Sequence, residues 1–129
     1  MSGRFLVDTN FVIAFINGDA RAAEIMASAD EVFFATVVLG ELFYGAFKSN
    51  KQDENLSRIA DFAANTTVLV CDTETSRQYG IVKNELRMKG RPIPENDVWI
   101  AAFACQHQLT LLTRDDHFAG VDRLVCESW

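Results

Sequence analysis

The chain has 129 residues, 49% of them hydrophobic, with two prolines and a formal net charge of −6. A chain of this length makes one domain and can bury roughly two-thirds of its unfolded surface, and such a composition excludes intrinsic disorder, collagen-like repeats and low complexity. The acidic balance argues against the broad basic surface usual in nucleic-acid-binding proteins, unless the acids are gathered in one place.

Phe5-Leu6-Val7 is a short apolar run and predicts a buried first strand ending at Asp8. Phe11, Val12, Ala14, Phe15 and Ile16 then predict a helix, capped by Thr9 or Asn10 and broken at Gly18-Asp19. Residues 20–29 read as a second helix and Val32-Phe33-Phe34-Ala35 as a second strand. Over 37–48, Val38, Leu39, Leu42, Phe43, Ala46 and Phe47 recur at helical spacing. Residues 53–64 form a more polar helix with Leu56, Ile59, Ala60 and Ala63 inward, and Val68-Leu69-Val70 is a third strand. A long amphipathic helix over 73–89 uses Tyr79, Val82 and Leu86 as its buried edge. Thr73 is followed by Ser76 rather than Glu, so no full capping box marks its start. Gly90 ends it, and Pro92-Ile93-Pro94 is a rigid connector. Residues 95–107 are apolar almost all round, the mark of a deeply placed helix. Residues 109–113 predict a fourth strand and Leu124-Val125 a short fifth.

Strands that are continuous apolar runs, alternating with helices, indicate a sheet covered on both faces. The expected architecture is α/β: a three-layer α/β/α sandwich in a single domain, residues 1–129, with a central, mainly parallel sheet of about five strands. Ligands of such folds lie beyond the carboxyl ends of the strands. Cys71, Cys105 and Cys126 are odd in number and form no CxxC pair, which predicts neither disulfide framework nor zinc ribbon, and a reducing, cytoplasmic setting. The apolar opening, 5–16, is interrupted by Asp8 and Asn10 and is too short to span a bilayer, so no membrane association is expected.

Acids interrupt apolar sequence at four places. Asp8 follows the first strand; Asp115 follows the fourth after Thr113-Arg114. Glu41 is flanked by Leu39, Leu42 and Phe43, and Asp97 opens the most apolar helix. Each has an ordinary structural explanation: a turn residue, a solvent-facing stripe with Lys48, or a complement to a helix dipole. Together they are harder to dismiss, because unpaired buried carboxylates are costly and no cation lies close in sequence to each. Converging carboxylates are relieved by a raised pKa or by a divalent cation. Oxygen donors without Cys or His select Mg²⁺ or Mn²⁺, and the implied chemistry is phosphodiester hydrolysis by metal-activated water.

Leu6-Val7-Asp8-Thr9-Asn10, Val38-Leu39-Gly40-Glu41-Leu42, Asn96-Asp97-Val98-Trp99-Ile100-Ala101-Ala102 and Leu111-Leu112-Thr113-Arg114-Asp115-Asp116-His117-Phe118 resemble, in this order, the four motifs of the PIN-domain nucleases. The resemblance runs from Asp8 to about Val125, and the compact form is most similar to the VapC-type toxins of toxin–antitoxin pairs. It implies a Mg²⁺- or Mn²⁺-dependent endoribonuclease acting as a type II toxin, with Asp8, Glu41, Asp97 and Asp115 as metal-binding, catalytic carboxylates and Thr113 and Asn10 in support. Its implied partners are RNA, a cognate antitoxin protein and a second copy in a homodimer.

Asp115 is preferred to Asp116 because it keeps the Thr-x-Asp spacing; Asp116 is read as capping the following turn and His117 as a turn residue packed near Phe118. Lys83, Arg87 and Arg91, with Arg114, are the candidate RNA-binding residues, and Phe43, Tyr44, Phe47, Phe11 and Phe15 exceed what one face obviously buries. The alternatives are an RNA-processing PIN nuclease that is no toxin, or a catalytically silent PIN-fold or receiver-like binding module. A receiver would show an acidic pair after the first strand and a Lys after the last, and a haloacid-dehalogenase-type phosphatase would show Asp-x-Asp; this chain has neither.

Overall fold

In the computed structural model, described for residues 3–129, five strands form one sheet. They are Arg4–Val7 (β1), Glu31–Ala35 (β2), Thr67–Leu69 (β3), Thr110–Leu112 (β4) and Cys126–Glu127 (β5). Their order is β3-β2-β1-β4-β5, and every neighbouring pair is parallel. The helices are Thr9–Ile16 (α1), Ala20–Ser28 (α2), Thr36–Phe47 (α3), Gln52–Ala64 (α4), Thr73–Met88 (α5) and Glu95–His107 (α6), with a short 3-10 helix at Asp116–Gly120.

Parallel strands need crossover helices, and these bury both sheet faces. Leu6 on β1 pairs with Phe33 on one side and Leu111 on the other, and Leu6, Phe34, Leu111 and Leu112 are fully buried. From α6, Ile100, Ala101 and Phe103 are buried with them. The switch in strand order falls at β1, where the chain moves from β2 and β3 on one side to β4 and β5 on the other. That is where an open α/β sheet leaves its crevice.

Caps, burial and element ends differ from the sequence expectations in several places. Asp8, not Thr9 or Asn10, caps α1, its side chain accepting the Phe11 N–H. α5 starts at Thr73 as expected, but Asp72 caps it and completes a reciprocal box with Thr75. Thr takes the place of the usual Glu in that box. Ala60 is exposed, and Phe62 instead buries itself against Phe34 and Phe15 with ring centroids 5.1 and 5.8 Å apart. The last strand is Cys126–Glu127 rather than Leu124-Val125. Both its residues are exposed, so no inward-outward pattern advertises its register. Gly90 ends α5 at φ +65°, as expected, whereas α6 ends on a non-glycine, Gln108, at φ +54°.

Candidate active site

β1 delivers Asp8 to the carboxyl edge of the sheet, where its N–H donates to the Leu112 carbonyl at 3.4 Å. The residue is 6% exposed, and its Oδ1 accepts the Phe11 N–H at 2.9 Å. The cap therefore holds the carboxylate against the start of α1, where the helix dipole favours negative charge. Glu41 arrives from the middle of α3, Asp97 from the first turn of α6, and Asp115 from the segment after β4. All four line one cleft of about 440 Å³, together with Thr9, Asn10, Glu95 and Asn96.

Thr113 lies beneath the cleft rather than on its wall. Its hydroxyl accepts the Asp115 N–H at 3.0 Å and hydrogen-bonds Asp8. One buried hydroxyl thus ties the end of β1 to the segment after β4. Asp115, rather than Asp116, caps the 3-10 helix, with its Oδ1 accepting the His117 N–H at 3.0 Å. Asp116 is exposed and lies on a neighbouring concavity with Arg91 and His117.

Burial pushes the Asp8 carboxyl above the ordinary range, and the charges of Asp115 and Asp97 add to it, against hydrogen bonds from Thr113 and the Phe11 N–H. Glu41 is raised in the same way, by burial first and then by the charges of Asp97 and Asp8, with Thr9 opposing. The Thr9 hydroxyl is buried with no protein partner at full hydrogen-bonding geometry. Among the described residues, no Lys or Arg is ion-paired to any of the four carboxylates.

His117 is the residue that the sequence reading misplaced. It does not merely fill the turn beside Phe118: its Nδ1 lies 3.1 Å from Asp97 Oδ2 and 3.1 Å from Asp115 Oδ1. Hydrogen bonding to Asp97 raises its pKa, and the surrounding acids reinforce the effect. The only sequence signal was its position two residues past Asp115. Whether such a residue folds back depends on backbone angles after the strand, which residue spacing does not express.

The candidate basic residues are scattered. Lys83 reaches Glu95 on the cleft rim, at 2.9 Å, and also hydrogen-bonds Tyr79, which is stacked on Trp99. Arg91 borders the concavity that holds His117. Arg87 bonds Asn84 on its own helix, and Arg114 lies 3.6 Å from the centre of the Trp129 ring while donating to the Trp129 carbonyl. The structure therefore places Lys83 and Arg91 beside the acids, but not Arg87 or Arg114.

Comparison with known proteins identifies the family of the chain. The PIN domain family model matches residues 5–124. The chain is 33% identical over 131 residues to ribonuclease VapC2 of Haemophilus influenzae, covering 98% of each chain. It is 33% identical over 129 residues to the tRNA(fMet)-specific endonuclease VapC of Shigella flexneri, again covering 98% of each. Among solved structures, VapBC2 of Rickettsia felis bound to a promoter DNA fragment superposes with a TM-score of 0.87 at 27% identity, over 98% of each chain. With the fold and these similarities in agreement, the chain belongs to the PIN-domain family, in the branch of the VapC ribonucleases.

Proposed function

We propose that this protein is a divalent-cation-dependent endoribonuclease, the toxin of a toxin–antitoxin pair, and that Asp8, Glu41, Asp97 and Asp115 are its catalytic carboxylates. The observation that carries this is their convergence, from four separate segments, on one cleft with no cationic side chain paired to them. Such a cluster is electrostatically incomplete. Two of its members, Asp8 and Glu41, are pushed toward protonation by burial and by the charges of neighbouring acids. The donor set is hard oxygen, which fits Mg²⁺ or Mn²⁺. When bound, such an ion supplies Lewis-acid stabilisation of the charge that builds on the phosphate during hydrolysis.

The protein's own contribution is positional. The Phe11 N–H and the Thr113 hydroxyl hold Asp8, and Thr113 also holds the backbone of Asp115. Asn10, exposed at the cleft wall, supports the first motif. Lys83, bonded to Glu95 on the cleft wall, and Arg91, beside Asp115 and His117, are the basic residues best placed to meet an RNA backbone. The relatives named for their ribonuclease activity, and the solved VapBC complexes, support both the substrate class and a protein partner. Ile13 on α1 and Phe43, Tyr44 and Phe47 on α3 stay exposed, Tyr44 by 67%. Antitoxin binding and pairing with a second copy would cover such side chains. No helix among the described residues is long and apolar enough to cross a membrane.

The test is cleavage of single-stranded RNA by the purified protein with Mg²⁺ or Mn²⁺. Cleavage is expected to stop with EDTA and in Asp8→Asn. Full activity of a folded Asp8→Asn variant overturns the assignment.

A further inference from the structure

The geometry points to a ligand that an all-carboxylate site does not include: we propose that His117 is a nitrogen ligand of the cation held by Asp97 and Asp115, and that it biases this site toward manganese over magnesium. The proposal rests on the reading of the cleft as a cation site.

One atom, Nδ1 of His117, lies 3.1 Å from Asp97 Oδ2 and 3.1 Å from Asp115 Oδ1. A ring nitrogen has one direction to offer, a lone pair or a single hydrogen. One hydrogen makes one well-aligned bond, so two equal approaches leave one carboxylate poorly served. The separations suit a different arrangement. In an octahedron with ligand distances of about 2.1–2.2 Å, adjacent donor atoms are about 3.0–3.1 Å apart. The three donor atoms all lie within 4.8 Å of one another, which allows a common centre.

The donors are also held in place. Asp115 Oδ1 accepts the His117 N–H at 3.0 Å, which fixes carboxylate and imidazole to the same turn, and Asp97 sits in the first turn of α6. The chain's other histidine, His107, lies at the opposite end of α6 from Asp97. Of the two hard ions that a carboxylate site selects, Mn²⁺, the weakest nitrogen binder of the first-row transition ions, still accepts an imidazole more readily than Mg²⁺, which takes oxygen and keeps its waters. A site of two carboxylates and one imidazole therefore discriminates where four carboxylates alone do so weakly.

The test uses binding and spectroscopy rather than activity. Metal-free protein is titrated with Mn²⁺ and followed by electron paramagnetic resonance, and with Mg²⁺ by calorimetry. Wild-type protein is expected to show ¹⁴N modulation in the electron spin echo of bound Mn²⁺. His117→Asn should remove that modulation and weaken Mn²⁺ at least about tenfold, while changing Mg²⁺ affinity less than about threefold. The His117 side chain is 48% exposed, so its replacement removes no core packing, and a melting curve checks that the variant is folded. Bound Mn²⁺ without nitrogen modulation in the wild type overturns the assignment of His117 and leaves the cation site standing. Failure of the wild type to bind either ion overturns both.

Discussion

Two aspartates in this chain cap helices in the same way. Asp8 accepts the Phe11 N–H at 2.9 Å, and Asp72 accepts the Thr75 N–H at 2.9 Å. Around Asp72 the surroundings complete the cap: the Thr75 hydroxyl and the Gln106 amide both donate to the same carboxylate oxygen, and its pKa is lowered, chiefly by the Thr75 N–H. Around Asp8 the cap is opposed by burial and by two other acids, and its pKa is raised. One aspartate is finished by its neighbours and serves structure. The other is left unfinished and is available to an ion or a substrate. Part of the difference is local, since Thr75 completes a box at Asp72 where Phe11 offers Asp8 only its N–H; the rest is what the tertiary fold brings, the Gln106 amide to one and burial beside two acids to the other.

The sharpest way to break this comparison is to neutralise each acid. Asp8→Asn should lower RNA cleavage at least about 100-fold, a loss of the size that follows when a charge-stabilising group is removed from an active site. Asp72→Asn should leave the rate within about twofold, because Asp72 spends its Oδ1 on three protein hydrogen bonds at the start of α5 and a cap hydrogen bond bears on folding. Initial rates on a single-stranded RNA, with circular dichroism to confirm folding, decide both.

Cation binding gives the next largest effect. At about 100 times its dissociation constant, a ligand that binds only the folded state adds about 2.7 kcal/mol to the unfolding free energy. Wild-type protein should gain this with Mn²⁺ and lose it with EDTA, and Asp8→Asn should gain much less; equal gains would remove Asp8 from the cation site. Without metal the order reverses. Asp8→Asn should then melt above the wild type at neutral pH, because a self-repelling charge has gone, while Asp72→Ala should melt a few degrees below it.

The pH dependence is the smallest and the most diagnostic effect. Asp8 and Glu41 have folded-state pKa values above their ordinary 3.8 and 4.5. Their protonated forms therefore favour the folded state, and stability is lost as pH rises from those values through the raised ones. Asp72 has the opposite sign: its contribution is present above its ordinary value and is lost as pH falls through the lowered one. Chemical unfolding of metal-free protein across the acid range should show both limbs. Asp8→Asn should flatten the upper limb and Asp72→Asn the lower.

Much of this molecule is legible in its residues. Apolar runs such as Phe5-Leu6-Val7 have too little polar character to be surface strands, and an acid directly after such a run must sit at a sheet end. That logic places Asp8 and Asp115 at one sheet edge, because hydrophobic patterning fixes which elements are buried; Glu41 and Asp97 stand out only as acids within apolar helices, and the resemblance to the PIN-domain motifs is what joins them to the other two. Patterning fails where burial is partial. It put Ala60 inward where Phe62 goes, because a wide helix face admits either, and it set the exposed last strand two residues early.

The residues alone therefore determine the α/β class and the parallel sheet, and they single out the four acids proposed as the site. Only the tertiary structure decides that Asp8 is raised where Asp72 is lowered, that Thr113 joins two strand ends, that Arg114 lies on Trp129, and that His117 turns back onto Asp97 and Asp115. Each of these depends on distances of a few ångströms between segments far apart in the chain, and electrostatic and coordination energies change steeply over such distances.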